Sequence, residues 1–491
     1  MKLKVKRFNF STGRPVCMVN ETTARELSLY VGQRILIKKN GKKIISVVNI
    51  IEDTLKKNEI AVSKEISSVL NIHPQDKVEV EIAEQPHSIE LIKEKLKGRR
   101  LKKKEIYEII ENIANNALTE VEVAFFVSAV YEEGMSVRET RYLTKAMVET
   151  GNKLRFKGLV VDKHSVGGIA GNRTTPIVVS ICSAVGLIMP KTSSRAITSA
   201  AGTADVIEAI AKVDFNYDEI KKIVKKTNAC MVWGGSLGLA PVDDKIIKIE
   251  KIVNIDSFAQ VIASILSKKI SVGSKYILID IPCGKSAKFT KKEAQKLKTR
   301  FLELGKFFKL NLKILITDGN EPIGNGIGPM LEIKDVIKVL RRENPPLDLE
   351  KKSVFLAGKL LELSKKAQPG EGIKLATEIL NSGLAFKKFL EIIKTQKGDI
   401  KKIAKMHPGY THHIKASKKS TIKHIDNKLI NNLARLCGCP EDKAAGIYLH
   451  RKKGQVVNKH EKILTLYAQS EEKLKHARAF YKKNKKKIVE Y

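Results

Sequence analysis

Two Gly-rich loops carry the residue types that bind anions. The first runs Lys163-His164-Ser165-Val166-Gly167-Gly168-Ile169-Ala170-Gly171-Asn172-Arg173-Thr174-Thr175, after an apolar run and before a helical segment that begins near Pro176. Backbone N–H groups of such a turn, together with a helix N-terminus, form an anion cradle that Lys and Ser side chains complete. Taken alone, this loop also reads as a plain strand-to-helix turn. The second loop, KTSSRAITSAAGTAD over 191–205, repeats the logic between the apolar LIMPK and the helical ADVIEAIAK. Its crowd of hydroxyls around Arg195 and Gly202 is hard to explain by core packing. Two cradles in consecutive strand–loop–helix units face the same edge of a parallel sheet, at the C-terminal ends of its strands. One site there holds two anions, or one anion from two sides.

A third feature is a polar stripe. Asp256, Gln260, Ser264 and Lys268 recur every four positions among Ala259, Val261, Ile262, Ile265 and Leu266, so they share one drifting helix face. A solvated face is the bland reading. Exposed faces elsewhere in the chain are Lys-dense, however, which favours a ligand-facing wall with Asp256 as general acid. Residues 282–288 (PCGKSAK) and 318–329 (DGNEPIGNGIGP) are two more phosphate-type loops. Neither is a Walker A sequence, which disfavours ATP-driven chemistry. His164 sits where it either contacts substrate or orients the first loop. Cys437-Gly-Cys439 lacks a second thiol pair and His412-His413 lacks helical spacing, so no metal site is expected.

The elements that must position these residues follow from periodicity. Residues 27–37 (LSLYVGQRILI) match 70–80 (LNIHPQDKVEV) at a 43-residue offset, each copy a short helix, a turn and an alternating strand. This repeat predicts a pseudo-symmetric, double-psi-like β-barrel over 1–86, a domain for assembly with Glu84-Gln85-Pro86 as linker. Apolar positions at 3–4 spacing predict a helical domain over 87–156, with Thr119/Glu122 and Ser136/Glu139 as capping boxes and a helical return at 241–271. Short apolar runs ending in Gly, Ser or Asp before helical segments predict an α/β phosphate-binding domain over 157–240 and 272–404, its sheet mostly parallel. Residues 405–491 are expected to form a C-terminal α+β domain in which GQVVNKHEKILTLYA makes hairpin strands. The fold class is thus a multidomain α/β protein.

The chain has 491 residues, more than one core usually supports. A 43% hydrophobic content excludes wholesale disorder, and no uninterrupted apolar stretch is long enough to span a membrane. The opening MKLKVKRFNFSTGRP is basic without an apolar core, and six scattered cysteines make no disulfide framework, so a cytoplasmic protein is expected. Net charge is +38, but the lysines are spread along the chain and mixed with Glu. Without zinc-finger spacing or an RNA-binding aromatic motif, a nucleic-acid partner is disfavoured; a surface that draws in small phosphorylated substrates fits the charge equally well.

Taken together, the loops resemble the type II nucleoside phosphorylases, the family of thymidine phosphorylase. KHSVGGIAGNRTT is similar to that family's KHS-x-G-G phosphate loop, and SSRAITSAAGTADVIE to its long second motif; IASILSKK and LGLAPVDDK also match. The likeness covers about residues 88–491. The barrel and GNEPIGNGIGP resemble an archaeal branch that acts on nucleoside 5′-monophosphates. The resemblance implies that Lys163, Ser165, Thr174, Ser193 and Thr203 grip inorganic phosphate. It places the nucleotide on Gly168, Ser194, Arg195, Ala196, Ile197, Thr198, Ser199, Thr203, Ser264 and Lys288, puts Lys268 beside the base, and makes Asp256 the proton donor. That last role requires a carboxyl raised well above its ordinary ~3.9. The activity implied is phosphorolysis, AMP plus phosphate giving adenine plus ribose 1,5-bisphosphate. No metal or organic cofactor is implied; phosphate is a co-substrate, and a homodimer or larger homo-oligomer is expected.

Two departures stand out. Fifteen residues before Ser264, pyrimidine-specific members carry a base-reading arginine where this chain has Ile249. The usual SGRG is Ser193-Ser194-Arg195-Ala196 here, so the loop lacks two flexible positions. A pyrimidine nucleoside phosphorylase, a Mg²⁺-dependent phosphoribosyltransferase and a basic nucleic-acid binder are the alternatives. Ile249 and Lys288 weigh against the first, the want of an acidic pair against the second, and the loops themselves against the third.

Overall fold

A computed structural model describes all residues except Arg7 and Thr198. It divides into two compact units, Met1–Gly151 with Ala240–Ser264, and Asn152–Leu239 with Ile265–Tyr491.

The first unit begins with β1 (Lys2–Lys6), β2 (Val16–Asn20), α1 (Glu21–Glu26), β3 (Arg34–Lys39), β4 (Lys42–Ile51), β5 (Glu59–Val62), α2 (Lys64–Leu70) and β6 (Lys77–Ile82). The six strands close into a barrel in the order β1-β5-β2-β4-β3-β6. The 43-residue repeat governs the whole pairing scheme. Shifting by 43 exchanges β1 with β4, β2 with β5 and β3 with β6, so parallel β1·β5 becomes parallel β4·β2 and antiparallel β1·β6 becomes β4·β3. Equivalent positions also point inward: Ile35 and Ile37 match Val78 and Val80, all fully or almost fully buried.

Four helices follow, α3 (Ser88–Leu96), α4 (Lys103–Ala114), α5 (Glu120–Glu133) and α6 (Val137–Glu149). Both expected capping boxes form. Glu122 accepts the Thr119 N–H at 2.7 Å and Glu139 the Ser136 N–H at 2.9 Å, while each hydroxyl accepts in return from the glutamate's own N–H. Glu122 also pairs with Arg34 of β3, which donates to the Ala117 carbonyl and so ties barrel to bundle.

In the second unit, β7 (Val161–Ser165), α7 (Thr174–Ala184), β8 (Met189–Ser193), α8 (Thr203–Glu208), α9 (Tyr217–Thr227) and β9 (Ala229–Trp233) alternate as expected. The chain then returns through α10 (Pro241–Val253) and α11 (Phe258–Ser271), of which residues up to Ser264 belong to the first unit. It resumes with β10 (Tyr276–Cys283), α12 (Lys291–Phe307) and β11 (Asn311–Asp318). The pairs β8·β9, β7·β10 and β10·β11 are parallel, and a parallel Val160–Ile188 bridge joins them in the order β9-β8-β7-β10-β11. β9 and β10 are buried apolar runs, as strands covered on both faces require, whereas the edge strand β11 is only partly buried.

The short β12 (Gly326–Ile327) is followed by α13 (Pro329–Arg341), α14 (Leu347–Leu363), α15 (Gly372–Asn381) and α16 (Leu384–Thr395). The C-terminal part comprises β13 (Tyr410–Lys415), β14 (Ser420–Thr421), β15 (His424–Ile425), α17 (Asn427–Cys437), β16 (Gly446–Leu449), β17 (Val456–Val457), β18 (Lys462–Ala468), α18 (Glu471–Ile488) and β19 (Val489–Glu490). The expected hairpin within GQVVNKHEKILTLYA does not form. β17 pairs with β14, whereas β18 sits between β16 and β13 in an antiparallel sheet β12-β16-β18-β13. Five of its seven residues are buried, so β18 takes the centre with a longer strand on one side, and two-residue β17 goes elsewhere. Among the described residues no helix is long and apolar enough to cross a membrane.

Candidate active site

The first loop leaves β7 and enters α7, which places Lys163, Ser165 and Thr174 at the C-terminal edge of the parallel sheet. Lys163 is fully buried. Its Nζ donates to Ser165 Oγ at 2.6 Å, Thr174 Oγ1 at 2.7 Å and Thr175 Oγ1 at 3.3 Å. Burial pushes this ammonium down to about 7, with Lys352 and Arg173 adding to the effect against the pull of Asp280 and Asp162. Ser165 in turn donates to Asp280 Oδ2 at 2.8 Å, and Thr317 donates to Asp280 Oδ1 at 2.6 Å. Lys352 lies 3.2 Å from the same carboxylate. Beside this group, Asp162 holds Lys269 at 2.7 Å and Lys191 at 3.5 Å.

Four lysines therefore share two carboxylates, which leaves a local excess of positive charge. Burial and the surrounding lysines keep His164 neutral, its imidazole held well below the usual range. At the end of β8, the Thr192 and Ser193 hydroxyls are buried with no hydrogen-bond partner among the described residues. A cationic floor with unpartnered hydroxyls at its edge is the environment that a desolvated phosphate needs.

The second loop is shaped by Asp205, the third residue of α8. Its carboxylate accepts the N–H groups of Ala196 at 2.7 Å and Gly202 at 2.8 Å and reaches Arg195 at 3.2 Å. A Cβ on Gly202 would lie 2.4 Å from the Ser194 carbonyl oxygen, so only glycine fits. The Arg195 guanidinium is engaged by Glu208, with both contacts at 2.7 Å, and lies over Trp233. This arrangement makes Arg195 a brace for the loop. Ser194 is exposed; Gly168, Ala196, Ile197 and Ser199 are half-buried, and Ser199 donates to the Ala201 carbonyl. Thr198 lies outside the described residues.

Arg173 joins the two loops. Its guanidinium donates to Thr203 Oγ1 at 2.9 Å, the Ala201 carbonyl at 3.1 Å and buried Glu332 at 2.5 Å. Thr203 Oγ1 accepts in this contact and donates to no group among the described residues.

Two expectations are corrected. Gln260 is not on an open helix face: it is 2% exposed, its backbone N–H donates to Ser257 Oγ and its side-chain oxygen accepts from that hydroxyl, while Nε2 has no partner among the described residues. The Ser257 hydroxyl thus caps the start of α11, with the Gln260 side chain bonded back to it. The half-exposed polar residues of this helix are Ser264 in the first unit and Lys268 in the second; half-exposed Asp256 precedes the helix. The 318–329 loop is not a phosphate cradle either, because its amides already have anions. Asp335 accepts the N–H groups of Asn325 and Gly326, and Glu332 accepts that of Gly328.

Lys288, in the 282–288 loop, lies 5.5 Å from the Phe289 ring centre. Ile249 is 4% exposed in the apolar core of the helical bundle and offers nothing to a base. Cys437 and Cys439 are buried thiols.

Sequence reasoning missed Asp205, Asp280, Lys352 and Glu332, and with them the bridging role of Arg173. For Asp205 the signal was available, as the third residue of a helix that opens on Gly202.

Comparison with known proteins accords with this geometry. Residues 89–151 match the helical bundle domain of a glycosyl transferase family, 157–386 the a/b domain of the same family, and 421–487 the pyrimidine nucleoside phosphorylase C-terminal domain. An AMP phosphorylase from Thermofilum pendens is 40% identical over 100% of this chain and 95% of its own length. Those from Methanococcus aeolicus (41%; 96% and 94%) and Thermococcus sibiricus (42%; 97% and 95%) are similar along as much of the chain. Among solved structures, anthranilate phosphoribosyltransferase from Thermus thermophilus shares the fold at a TM-score of 0.52 and 17% identity, over 62% of this chain and 99% of that one.

Proposed function

The chain belongs to the family of these AMP phosphorylases, and from that premise we infer that it catalyses phosphorolysis of nucleoside 5′-monophosphates: AMP plus phosphate gives adenine plus ribose 1,5-bisphosphate. The observation that carries the reading is buried Lys163, set in a cluster of four lysines and two carboxylates beside the Thr192 and Ser193 hydroxyls, which have no partner among the described residues.

In this reading Lys163, Ser165, Thr174, Ser193 and Thr203 hold inorganic phosphate. As the N-glycosidic bond breaks, positive charge develops on the ribose ring and a phosphate oxygen attacks C1′. Fixing that oxygen in advance removes most of the entropic cost of the encounter. The fixed cations stabilise it without reorganisation. Gly168, the second loop, Ser264 and Lys288 take the nucleotide, Lys268 lies on the base side, and Asp256 protonates the departing base. Inorganic phosphate is the co-substrate, and the scheme calls on no metal or organic cofactor.

The pyrimidine-nucleoside alternative is weakened by Ile249, whose side chain has no polar atom and is packed in the bundle core. We also read the barrel as a double-psi barrel, on the strength of its self-mapping parallel pairs, and place the protein in the cytoplasm as a homodimer or larger homo-oligomer.

Asp256→Asn tests the acid. The substitution is expected to lower kcat on AMP by about a hundred-fold or more, the usual range for a general acid, with KM little changed. Near wild-type turnover removes Asp256 from the mechanism.

A further inference from the structure

One helix face of the C-terminal part touches all four loops. Asn427, Asn431 and Arg435 recur every four residues along α17 and so lie in one row. Asn427 Oδ1 accepts the Ala170 N–H of the first loop at 3.1 Å. Its Nδ2 donates at 3.0 Å both to Ser286 Oγ of the 282–288 loop and to the Gly319 carbonyl of the 318–329 loop. Asn431 Oδ1 accepts the Ala200 N–H of the second loop at 2.9 Å, and its Nδ2 donates to the Gly168 carbonyl of the first loop at 3.0 Å. Arg435 donates to the Ile197 and Ser199 carbonyls.

Both asparagines are almost fully buried, at 1% and 3% exposed. Ala170 and Ala200, whose amides they satisfy, are themselves fully buried in the apolar core of the C-terminal part. A buried amide side chain that pairs its oxygen with one loop and its nitrogen with another fixes the distance between them, and losing it leaves buried backbone groups unpaired.

We propose that Asn427 and Asn431 are positioning residues, and that α17 sets the spacing of the phosphate and nucleotide loops without touching either substrate. The C-terminal domain then belongs to the catalytic apparatus as a template for loops that lie 108 to 263 residues earlier in the chain. The idea rests on reading those loops as anion sites.

The test compares Asn431→Ala with Leu433→Ala, which empties the same domain's core at a fully buried position outside the Asn427–Asn431–Arg435 row. Two quantities are read on the full-length protein: calorimetric affinity for inorganic phosphate, which needs no turnover, and hydrogen exchange at the amides of Ala170 and Ala200. N431A is expected to weaken phosphate binding about ten-fold and to speed exchange at Ala200, as the loss of a doubly used buried group implies. L433A is expected to lower the melting temperature while leaving phosphate affinity within two-fold of wild type.

The proposal is overturned if N431A keeps wild-type phosphate affinity, or if L433A weakens phosphate as much as N431A does. Should N431A fail to fold, Arg435→Ala serves instead, because Arg435 is exposed and its loss cannot empty the core. It is expected to raise the KM for AMP several-fold and to speed exchange near Ser199; no change in either overturns the proposal. A wild-type protein that binds phosphate yet turns over no monophosphate contradicts the assigned reaction and leaves the role of α17 standing.

Discussion

If Lys163 holds phosphate as proposed, its burial makes binding depend on pH in a definite direction. Burial lowers its ammonium to about 7 in the free protein, so near neutrality about half the molecules carry an uncharged amine. A bound phosphate favours the charged form, and binding therefore takes up a proton. If only the charged form binds, affinity falls with the fraction protonated, roughly 50-fold between pH 7 and pH 9. Phosphate's own second ionisation, near neutrality, runs the other way but raises its dianion fraction by only about two- to three-fold over this range.

The assay is calorimetric titration with inorganic phosphate at pH 7, 8 and 9, repeated in buffers of different ionisation enthalpy to count protons. Uptake is expected to approach one proton per phosphate by pH 9. Lys163→Met is expected to bind weakly at every pH and to flatten the dependence. Wild-type affinity that stays within two-fold across this range would refute the reasoning, because Lys163 would then be charged throughout or lie outside the site. The same shift acts on stability with a definite sign. A lysine depressed below its unfolded value of 10.5 means that the unfolded chain binds more protons, so this group makes the free protein more stable as pH rises from 7 towards 10.5.

Two further substitutions probe the loop geometry. Arg173→Met leaves Glu332 buried without its cation and is expected to destabilise the protein by about 3–5 kcal/mol. Burial already raises the Glu332 carboxyl, so the loss should be smaller at pH 5, where Glu332 takes up a proton more readily, than at pH 8; thermal unfolding at both values checks it. Gly202→Ala places a Cβ 2.4 Å from the Ser194 carbonyl oxygen and forces the second loop open. It is expected to cut kcat/KM about a hundred-fold with little change in melting temperature.

What the sequence made legible was local. The barrel repeat, the capping boxes at Thr119 and Ser136 and the strand–loop–helix units involve neighbours in the chain or a fixed 43-residue shift, so they leave a pattern. Lys163, Ser165 and Thr174 could be grouped because one loop carries all three. What stayed hidden was contributed from far away. Asp280 meets Ser165 across 115 residues, Glu332 meets Arg173 across 159, and Asn431 meets Ala200 across 231.

Pattern also misled where one residue type serves two purposes. Gln260 shares the spacing of a polar stripe but is buried against the Ser257 cap of α11, and the glycines of the 318–329 loop share the look of a phosphate cradle but bind carboxylates. The missed hairpin has the same origin, since adjacency in sequence does not tell which buried strand will sit at the centre of a sheet.

The central claim is that this site breaks nucleoside monophosphates with phosphate. Its most direct measurement is phosphate-dependent base release from AMP, CMP, UMP, adenosine, uridine and thymidine, run without added metal. Release from AMP but not from adenosine, uridine or thymidine is the predicted result. Release from uridine or thymidine with none from the monophosphates would contradict it.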